Sequence, residues 1–317
     1  MPTSLIPASS APIGVFDSGI GGLSVLQALR HELPHERFVY LADSGNAPYG
    51  ERGDAFVIPR TRTIAQYLQQ HHGIKALVIA CNTATAAAVE QLRAEMPDLP
   101  LIGVEPALKP ASLSSQTHHV GVIGTRGTVS SQRFARLVAE HGERTQFHVQ
   151  ACDGLARAIE LSTAAPLPAD ASATETRALC ARYTSALGTF GVKTGQIDTL
   201  VLGCTHYIFA KDDLRALLGP DVQLIDTGAP VARQTRRILT QAGTLAPEPA
   251  DATGAAPHAL AGPGQICLMT TGALDALQSA AQRWLQLPAA VCRHVDVPLQ
   301  AQTAESAPVP APVPASR

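Results

Sequence analysis

The chain has 317 residues, of which 45% are hydrophobic and 16% charged, and its formal net charge is −2 at pH 7. This composition excludes a largely disordered chain and predicts a globular protein long enough for two domains. The 24 basic residues are balanced by 26 acidic ones, and no basic run is interleaved with aromatic residues. We therefore expect a small-molecule partner and no nucleic acid.

The sequence contains no segment that predicts membrane insertion or export. Its start, MPTSLIPASSAP, lacks a positive stretch followed by an apolar core, and no run approaches the roughly eighteen apolar residues that cross a bilayer. The six cysteines are widely spaced, unlike those of a disulfide-stapled secreted domain. These features predict a cytoplasmic protein with reduced thiols and no membrane partner.

Short aliphatic and β-branched runs alternate with helical patterns along the chain. Leucines 23, 26, 29 and 33, for example, recur at helical intervals after the first run. In chain order, the predicted strands cover 13–16, 37–42, 76–80, 100–104, 119–124, 147–151, 199–203 and 222–226. This alternation predicts an α/β fold with mainly parallel sheets, in which ligands bind at the carboxyl ends of the strands.

Two parts of the chain are similar to each other. GVFDSG at 14–19 aligns with GVIGTR at 121–126, and LI at 101–102 aligns with LI at 224–225. The repeat predicts two similar α/β domains related by a pseudo-twofold axis, with an active site in the cleft between them. Biased composition predicts a surface insertion at 162–174 and a flexible loop at 246–264.

Two cysteines occupy matching places in the repeat. Cys81 and Cys204 each follow an apolar strand and precede polar residues, CNT in one case and CTH in the other. Unpaired N–H groups at a helix start stabilise a thiolate and also bind a carboxylate, so each cysteine could hold a substrate beside its sulfur. Packing is the alternative for a buried cysteine, and it is the preferred interpretation for the other four: Cys152, Cys180, Cys267 and Cys292.

A pair of thiols across a cleft suits a racemase or epimerase. One thiol removes a proton from one face of a carbon, and the other returns a proton to the opposite face. A zinc site using Cys81, Cys204 and His206 lacks CxxC or HxxxH spacing, and a Cys–His hydrolase leaves one cysteine without a role. No lysine lies in a Schiff-base setting, and the glycines at 19, 21 and 22 do not match GxGxxG. We predict neither a cofactor nor a metal.

Six motifs in order give the chain a specific resemblance. They are GVFDSGIGGLSVL, YLADSGNAPYG, IACNTATAAA, GVEPALKPA, GVIGT and LGCTHY, within about residues 13–240. Together they resemble the bacterial glutamate racemases of the cofactor-independent aspartate/glutamate racemase superfamily. The resemblance implies interconversion of L- and D-glutamate, and supply of D-glutamate for peptidoglycan.

The resemblance also implies roles for individual residues. Cys81 would deprotonate D-glutamate with help from Asp17, and Cys204 would deprotonate L-glutamate with help from His206 and Glu160. The family usually has proline after the cysteine that precedes Glu160 by eight residues, whereas this chain has Asp153 there. Substrate contacts carry over to Asp17, Ser18, Tyr49, Gly50, Asn82, Thr83, Thr205 and His206. Structural alternatives are a helix cap for Asp17, loop packing for Tyr49 and a core position for His206.

The family pattern further implies where the domains lie. One domain would comprise 13–104 plus 226–298, the other 105–225, and 1–12 and 299–317 would be flexible. The chain would then cross twice between the domains. We expect hinge motion, because two domains that close over a substrate expel water and line fixed dipoles against the growing carbanion. The sequence leaves open an aspartate or hydantoin racemase, an amino-acid-binding protein without turnover, and assembly as a homodimer.

Overall fold

The computed structural model describes residues 9–164, 175–247 and 265–299. Much of what was predicted to be flexible or inserted lies outside the described residues, namely 1–8, 165–174, 248–264 and 300–317. Within the described ranges, the strands are β1 (Ile13–Asp17), β2 (Phe38–Ala42), β3 (Ala76–Ile79), β4 (Leu101–Gly103), β5 (His119–Gly124), β6 (Gln146–Ala151), β7 (Thr199–Gly203), β8 (Gln223–Ile225), β9 (Ile266–Thr270) and β10 (Cys292–His294).

Helices follow most of the strands. They are α1 (Leu23–Glu32), α2 (Asp54–His72), α3 (Asn82–Glu95), α4 (Leu108–Ser114), α5 (Arg126–Val129), α6 (Gln132–His141), α7 (Leu155–Ala164), α8 (Glu175–Leu187), α9 (Lys211–Leu218), α10 (Gly228–Gln241) and α11 (Leu274–Leu285). None of these helices has the length and apolar character needed to cross a membrane.

The strands form two parallel sheets. The first has the order β10-β9-β2-β1-β3-β4 and the second β6-β5-β7-β8. The order β2-β1-β3-β4 in the first sheet therefore reappears as β6-β5-β7-β8 in the second. The predicted α/β class, with mainly parallel sheets in two similar units, is confirmed.

Apolar cores cover both faces of the first sheet, as its uninterrupted hydrophobic strands predict. Ile13 and Val15 of β1 face the core formed with α1, α10 and α11, whereas Phe16 faces the core formed with α2 and α3. Side chains alternate between faces along a strand, so this strand requires apolar residues at successive positions. The carboxyl ends of the strands remain open for a site.

Two strands were not predicted from the apolar runs. β9 lies beside β2, and β10 lies beside β9 at the edge of the first sheet. The three residues of β10 include exposed Arg293 and His294, which form no apolar pattern. β9 is short but apolar, so its composition was compatible with a strand.

Candidate active site

The carboxyl ends of β1, β3, β5 and β7 surround a cavity of about 530 Å³. Residues from both sheets line this cavity. Every residue that the sequence predicted for the site is among them: Asp17, Ser18, Tyr49, Gly50, Cys81, Asn82, Thr83, Glu160, Cys204, Thr205 and His206. The two sheets therefore bring the predicted side chains together in one place.

Cys81 is the N-cap residue of α3. Its sulfur accepts a hydrogen bond from the backbone N–H of Ala84 (3.5 Å), and its thiol donates to Ser18 Oγ (3.6 Å). Burial raises the pKa of Cys81 well above its ordinary value, and the charge of Asp17 adds to this effect. The helix start only partly offsets burial, so burial favours the thiol form of Cys81 over the thiolate that a helix start by itself would stabilise.

Cys204 has a different local structure from Cys81. It follows β7, but a 3₁₀ turn at Tyr207–Ala210 comes next, and α9 begins only at Lys211. The predicted helix directly after Cys204 is therefore absent. The tighter turn carries the Tyr207 side chain into the core, where its hydroxyl donates to the Cys152 carbonyl (3.3 Å). Any stabilisation of a Cys204 thiolate therefore comes from neighbouring side chains and not from a helix start.

The polar partner of Cys204 is a buried histidine. His206 Nδ1 lies 3.7 Å from Cys204 Sγ, and His206 Nε2 lies 2.7 Å from Glu160 Oε1. Burial by itself would lower the pKa of His206, but hydrogen bonds to Cys204 and Glu160 outweigh it and raise the pKa well above its ordinary value. This direction favours the protonated, cationic form of His206 beside the sulfur.

Glu160 reaches this position from α7 despite the unusual residue at position 153. Asp153 forms an ion pair with Arg126 at the surface, away from Glu160. Glu160 Oε1 also accepts a hydrogen bond from the backbone N–H of Ile20 (2.7 Å), which precedes α1. The Glu160 carboxylate therefore joins His206, which follows β7 of the second sheet, to the turn that follows β1 of the first sheet.

Asp17 also connects residues that follow the two sheets. Its carboxylate accepts hydrogen bonds from the N–H groups of Ser18 (2.8 Å) and Gly22 (2.5 Å) and from Thr205 Oγ1 (3.3 Å). Burial raises the pKa of Asp17, and the charge of His206 and the two N–H groups oppose that rise. Asp17 thus holds the turn before α1 as well as lining the cavity. The N-cap residue of α1 is Gly22, and no side chain among the described residues caps this helix, so the capping role considered as the alternative for Asp17 is wrong.

The buried side-chain amide of Asn82 is available to a ligand in the cavity. Its side chain is 4% exposed, and neither its Oδ1 nor its Nδ2 has a hydrogen-bond partner in the structure. Unsatisfied buried amides are rare because they lose their bonds to water. Beside it, Thr83 Oγ1 lies 2.8 Å from Thr125 Oγ1. The Tyr49 hydroxyl is already bound, since it donates to Asp43 Oδ2 (2.6 Å).

Other cavity-lining residues were not predicted. Thr125 ends the GVIGT motif at the carboxyl end of β5, and this place could have indicated a site role. Arg157 lies three residues before Glu160 on α7, so helical spacing could have indicated it. Arg157 is thus an exposed arginine at the edge of a cavity where no motif had indicated one. Within the described residues, no group of three or more His, Cys, Asp or Glu side chains could hold a metal ion.

Comparison with known proteins places this site in a family. The family model for Asp/Glu/Hydantoin racemase matches residues 14–235. A glutamate racemase of Pseudomonas syringae pv. tomato is 46% identical over 244 residues, covering 77% of this chain and 84% of that protein. A glutamate racemase of Ectopseudomonas mendocina is 47% identical, with 77% and 88% covered.

Solved structures show the same architecture. Glutamate racemase isoform RacE1 of Bacillus anthracis has a TM-score of 0.73 and 30% identity, and the match covers 92% of this chain and 100% of that one. Escherichia coli glutamate racemase in complex with L-glutamate and the activator UDP-MurNAc-ala has a TM-score of 0.69 and 29% identity, with 86% and 95% covered. Family model, sequence relatives and fold agree. The chain belongs to the Asp/Glu/Hydantoin racemase family.

Proposed function

We propose that the protein is a cofactor-independent glutamate racemase in which Cys81 and Cys204 are the two acid/base groups. One observation carries the proposal: the two thiols come from different sheets, yet they line one cavity, each with its own polar partners. A two-base racemase needs a proton-transferring group on either face of the α-carbon. Relatives that are 46% and 47% identical and are named glutamate racemase support glutamate as the substrate.

Substrate binding would use the polar lining of the cavity. The unpartnered Asn82 amide, with Thr83, supplies hydrogen bonds to a carboxylate of glutamate, and Ser18 and Thr205 line the same space. We also assign Asp17, Tyr49, Gly50 and His206 to substrate contact. The substrate brings a cationic ammonium group into a buried site, and a nearby cation lowers the pKa of a thiol. Binding would thereby oppose the effect of burial, which raises the pKa of Cys81.

The reaction then follows from the two sides of the cavity. With D-glutamate, the Cys81 thiolate takes the α-proton: the C–H bond breaks, an S–H bond forms, and the electron pair is shared between the α-carbon and its carboxylate. The Cys204 thiol next gives its proton to the opposite face and becomes a thiolate. Protonated His206, held by Glu160, stabilises that thiolate. L-glutamate reacts through the same steps in reverse.

Single substitutions test the two-thiol mechanism. Cys81→Ser and Cys204→Ser should each reduce racemisation in both directions by about 10²- to 10⁴-fold, the usual contribution of an acid/base group. Circular dichroism follows the conversion, and NMR in D₂O follows exchange of the α-hydrogen. Cys267→Ser is the control, because Cys267 does not line the cavity, and it should retain activity. Full racemisation by both site variants would exclude the mechanism.

A substrate panel separates this function from its alternatives. We expect racemisation of glutamate and much slower turnover of aspartate or a hydantoin. Faster turnover of aspartate or a hydantoin would assign the chain to another activity of its family. Binding of glutamate without exchange of its α-hydrogen would instead identify an amino-acid-binding protein.

We also infer a cellular role, namely supply of D-glutamate for peptidoglycan synthesis in the cytoplasm. All six cysteines are free, which supports a reducing compartment. Expression of the chain in a bacterium that requires external D-glutamate should restore growth without it, and the Cys204→Ser variant should not. Failure of the unaltered chain, when active in vitro, would contradict this role.

A further inference from the structure

The turn between β1 and α1 uses its backbone to contact Glu160, which is hydrogen-bonded to His206 beside the second sheet. The N–H of Ile20 donates to Glu160 Oε1, and the same oxygen is bonded to His206 Nε2, both at 2.7 Å. The other ring nitrogen of His206 lies 3.7 Å from Cys204 Sγ. A continuous set of contacts therefore leads from Ile20 to the Cys204 thiol.

Steric contact makes the position of this turn critical. A Cβ added at Gly19 would lie 1.7 Å from Glu160 Oε1, and one at Gly21 would lie 2.3 Å from His206 Nδ1. Only backbone without side chains fits against the two groups. Any shift of the turn is therefore passed on to His206 and Glu160.

A buried tyrosine outside the cavity holds the turn in place. Tyr40 on β2 is completely buried, and its hydroxyl donates to the carbonyl of Gly19 (2.5 Å). Burial raises the pKa of Tyr40 well above its ordinary value, and Asp17 and Glu160 raise it further, so the hydroxyl remains a donor. Tyr40 does not line the cavity.

We propose that Tyr40 is a positioning residue for proton transfer at Cys204, because its bond to Gly19 holds the turn that aligns Glu160 and His206 with the sulfur. This inference rests on the proposed racemase function. Cys81 contacts Ser18 of the same turn through a longer bond (3.6 Å) and also accepts the N–H of Ala84, whereas Glu160 accepts the N–H of Ile20 at 2.7 Å. Loss of the Tyr40 hydroxyl should therefore impair proton transfer at Cys204 more than at Cys81.

Isotope effects measure that selectivity. In Tyr40→Phe, proton transfer at Cys204 should be slower. With L-glutamate, whose α-proton Cys204 removes, this step then becomes rate-limiting. The α-deuterium effect on kcat/KM should therefore rise for L-glutamate and fall for D-glutamate, whose α-proton Cys81 removes in a faster, reversible step. We expect kcat/KM to fall about tenfold, since misplacement of a catalytic group by 1 Å costs up to roughly 10²-fold. KM should stay within about twofold of its original value because Tyr40 makes no substrate contact.

Two further variants make the test decisive. Tyr183→Phe is the matched control, since this buried hydroxyl also donates to a backbone carbonyl, that of Asp153 (2.6 Å), and Tyr183 does not line the cavity. It should leave both isotope effects unchanged. Gly21→Ala displaces His206 directly and should reproduce the asymmetry of Tyr40→Phe, so the inference remains testable if Tyr40→Phe does not fold.

The outcomes separate this inference from the function on which it rests. Unaltered protein that fails to racemise glutamate would overturn the proposed function. Racemisation by the unaltered protein, with the same ratio of the L and D isotope effects in folded Tyr40→Phe, would leave the function intact and show that Tyr40 only stabilises the fold. If Tyr40→Phe does not fold, the unaltered ratio in Gly21→Ala would overturn the inference.

Discussion

A histidine buried between a thiol and a carboxylate is the most consequential residue-scale feature of this protein. His206 is 4% exposed, yet its bonds to Glu160 and Cys204 raise its pKa well above its ordinary value. A group whose pKa rises on folding stabilises the folded state fully at pH values below its unfolded pKa, about 6.5. That stability is lost as pH increases through the folded pKa. The pair therefore supports folding at neutral pH.

Removing the Glu160 carboxylate should show how far it raises the pKa of His206. In Glu160→Gln, we expect the pKa of His206 to fall because its charged partner becomes a neutral amide. NMR titration of the imidazole gives the pKa, and melting curves measured against pH should show less stabilisation on the acidic side of the original folded pKa. Glu140→Gln is the control, since Glu140 pairs with His141 at the surface (3.8 Å). An unchanged His206 pKa in Glu160→Gln would contradict the pairing.

At the scale of elements, a buried lysine joins several segments at the amino end of the first sheet. Lys75 precedes β3 and pairs with Glu36 before β2 (2.6 Å). Its Nζ also donates to the carbonyls of Ser9 (2.6 Å) and Thr244 (2.8 Å). Both charged side chains are almost fully buried. Such a charge is tolerated only where several partners replace water.

Breaking this pair should destabilise the fold strongly. Lys75→Met leaves the Glu36 carboxylate buried without its partner, and we expect the free energy of unfolding to fall by about 3–5 kcal/mol. Arg62→Gln is the comparison, because Arg62 pairs with Glu95 (2.6 Å) where both are partly exposed, and its loss should be about 1 kcal/mol or less. Chemical denaturation measures both. Equal losses would show that burial of the Lys75 pair is unimportant.

The elements themselves were largely predictable, because buried parallel strands require continuous apolar runs. The run at 13–16 became β1 (Ile13–Asp17), and 199–203 became β7 (Thr199–Gly203). Local pattern did not reveal β10, because its own sequence has no apolar run. Its strand conformation comes from pairing with β9. Nor did local pattern reveal the turn after Cys204, because burial of Tyr207 decides that conformation.

At the scale of the whole molecule, both polar and apolar contacts join the two proposed domains, and the apolar ones include Phe209 stacked on Trp284. Ser24 Oγ donates to the Thr205 carbonyl (3.2 Å), and the N–H of Gly154 donates to Glu51 (2.9 Å). We propose that residues 13–104 with 226–298 move as one domain and 105–225 as the other. An interface between domains that mixes polar and apolar contacts permits relative motion more readily than a continuous apolar core does.

Ligand should close the cleft. We expect glutamate to reduce the radius of gyration in solution, because bonds from both sheets to one substrate draw the domains together and exclude water. Small-angle X-ray scattering at saturating glutamate measures this change, with lysine as the control ligand. An unchanged radius when glutamate binding is saturated would contradict the hinge.

Sequence by itself determined the α/β class and the repeat, because these depend on local periodicity, and the resemblance carried by its six motifs indicated eleven of the residues that line the cavity. Tertiary structure alone decided the environment of those residues. The raised pKa values of Cys81 and His206 and the contacts of Tyr40 and Ile20 arise from burial and from residues distant in the chain. Desolvation and long-range hydrogen bonds have no signature in local sequence, since both depend on how the two sheets face each other.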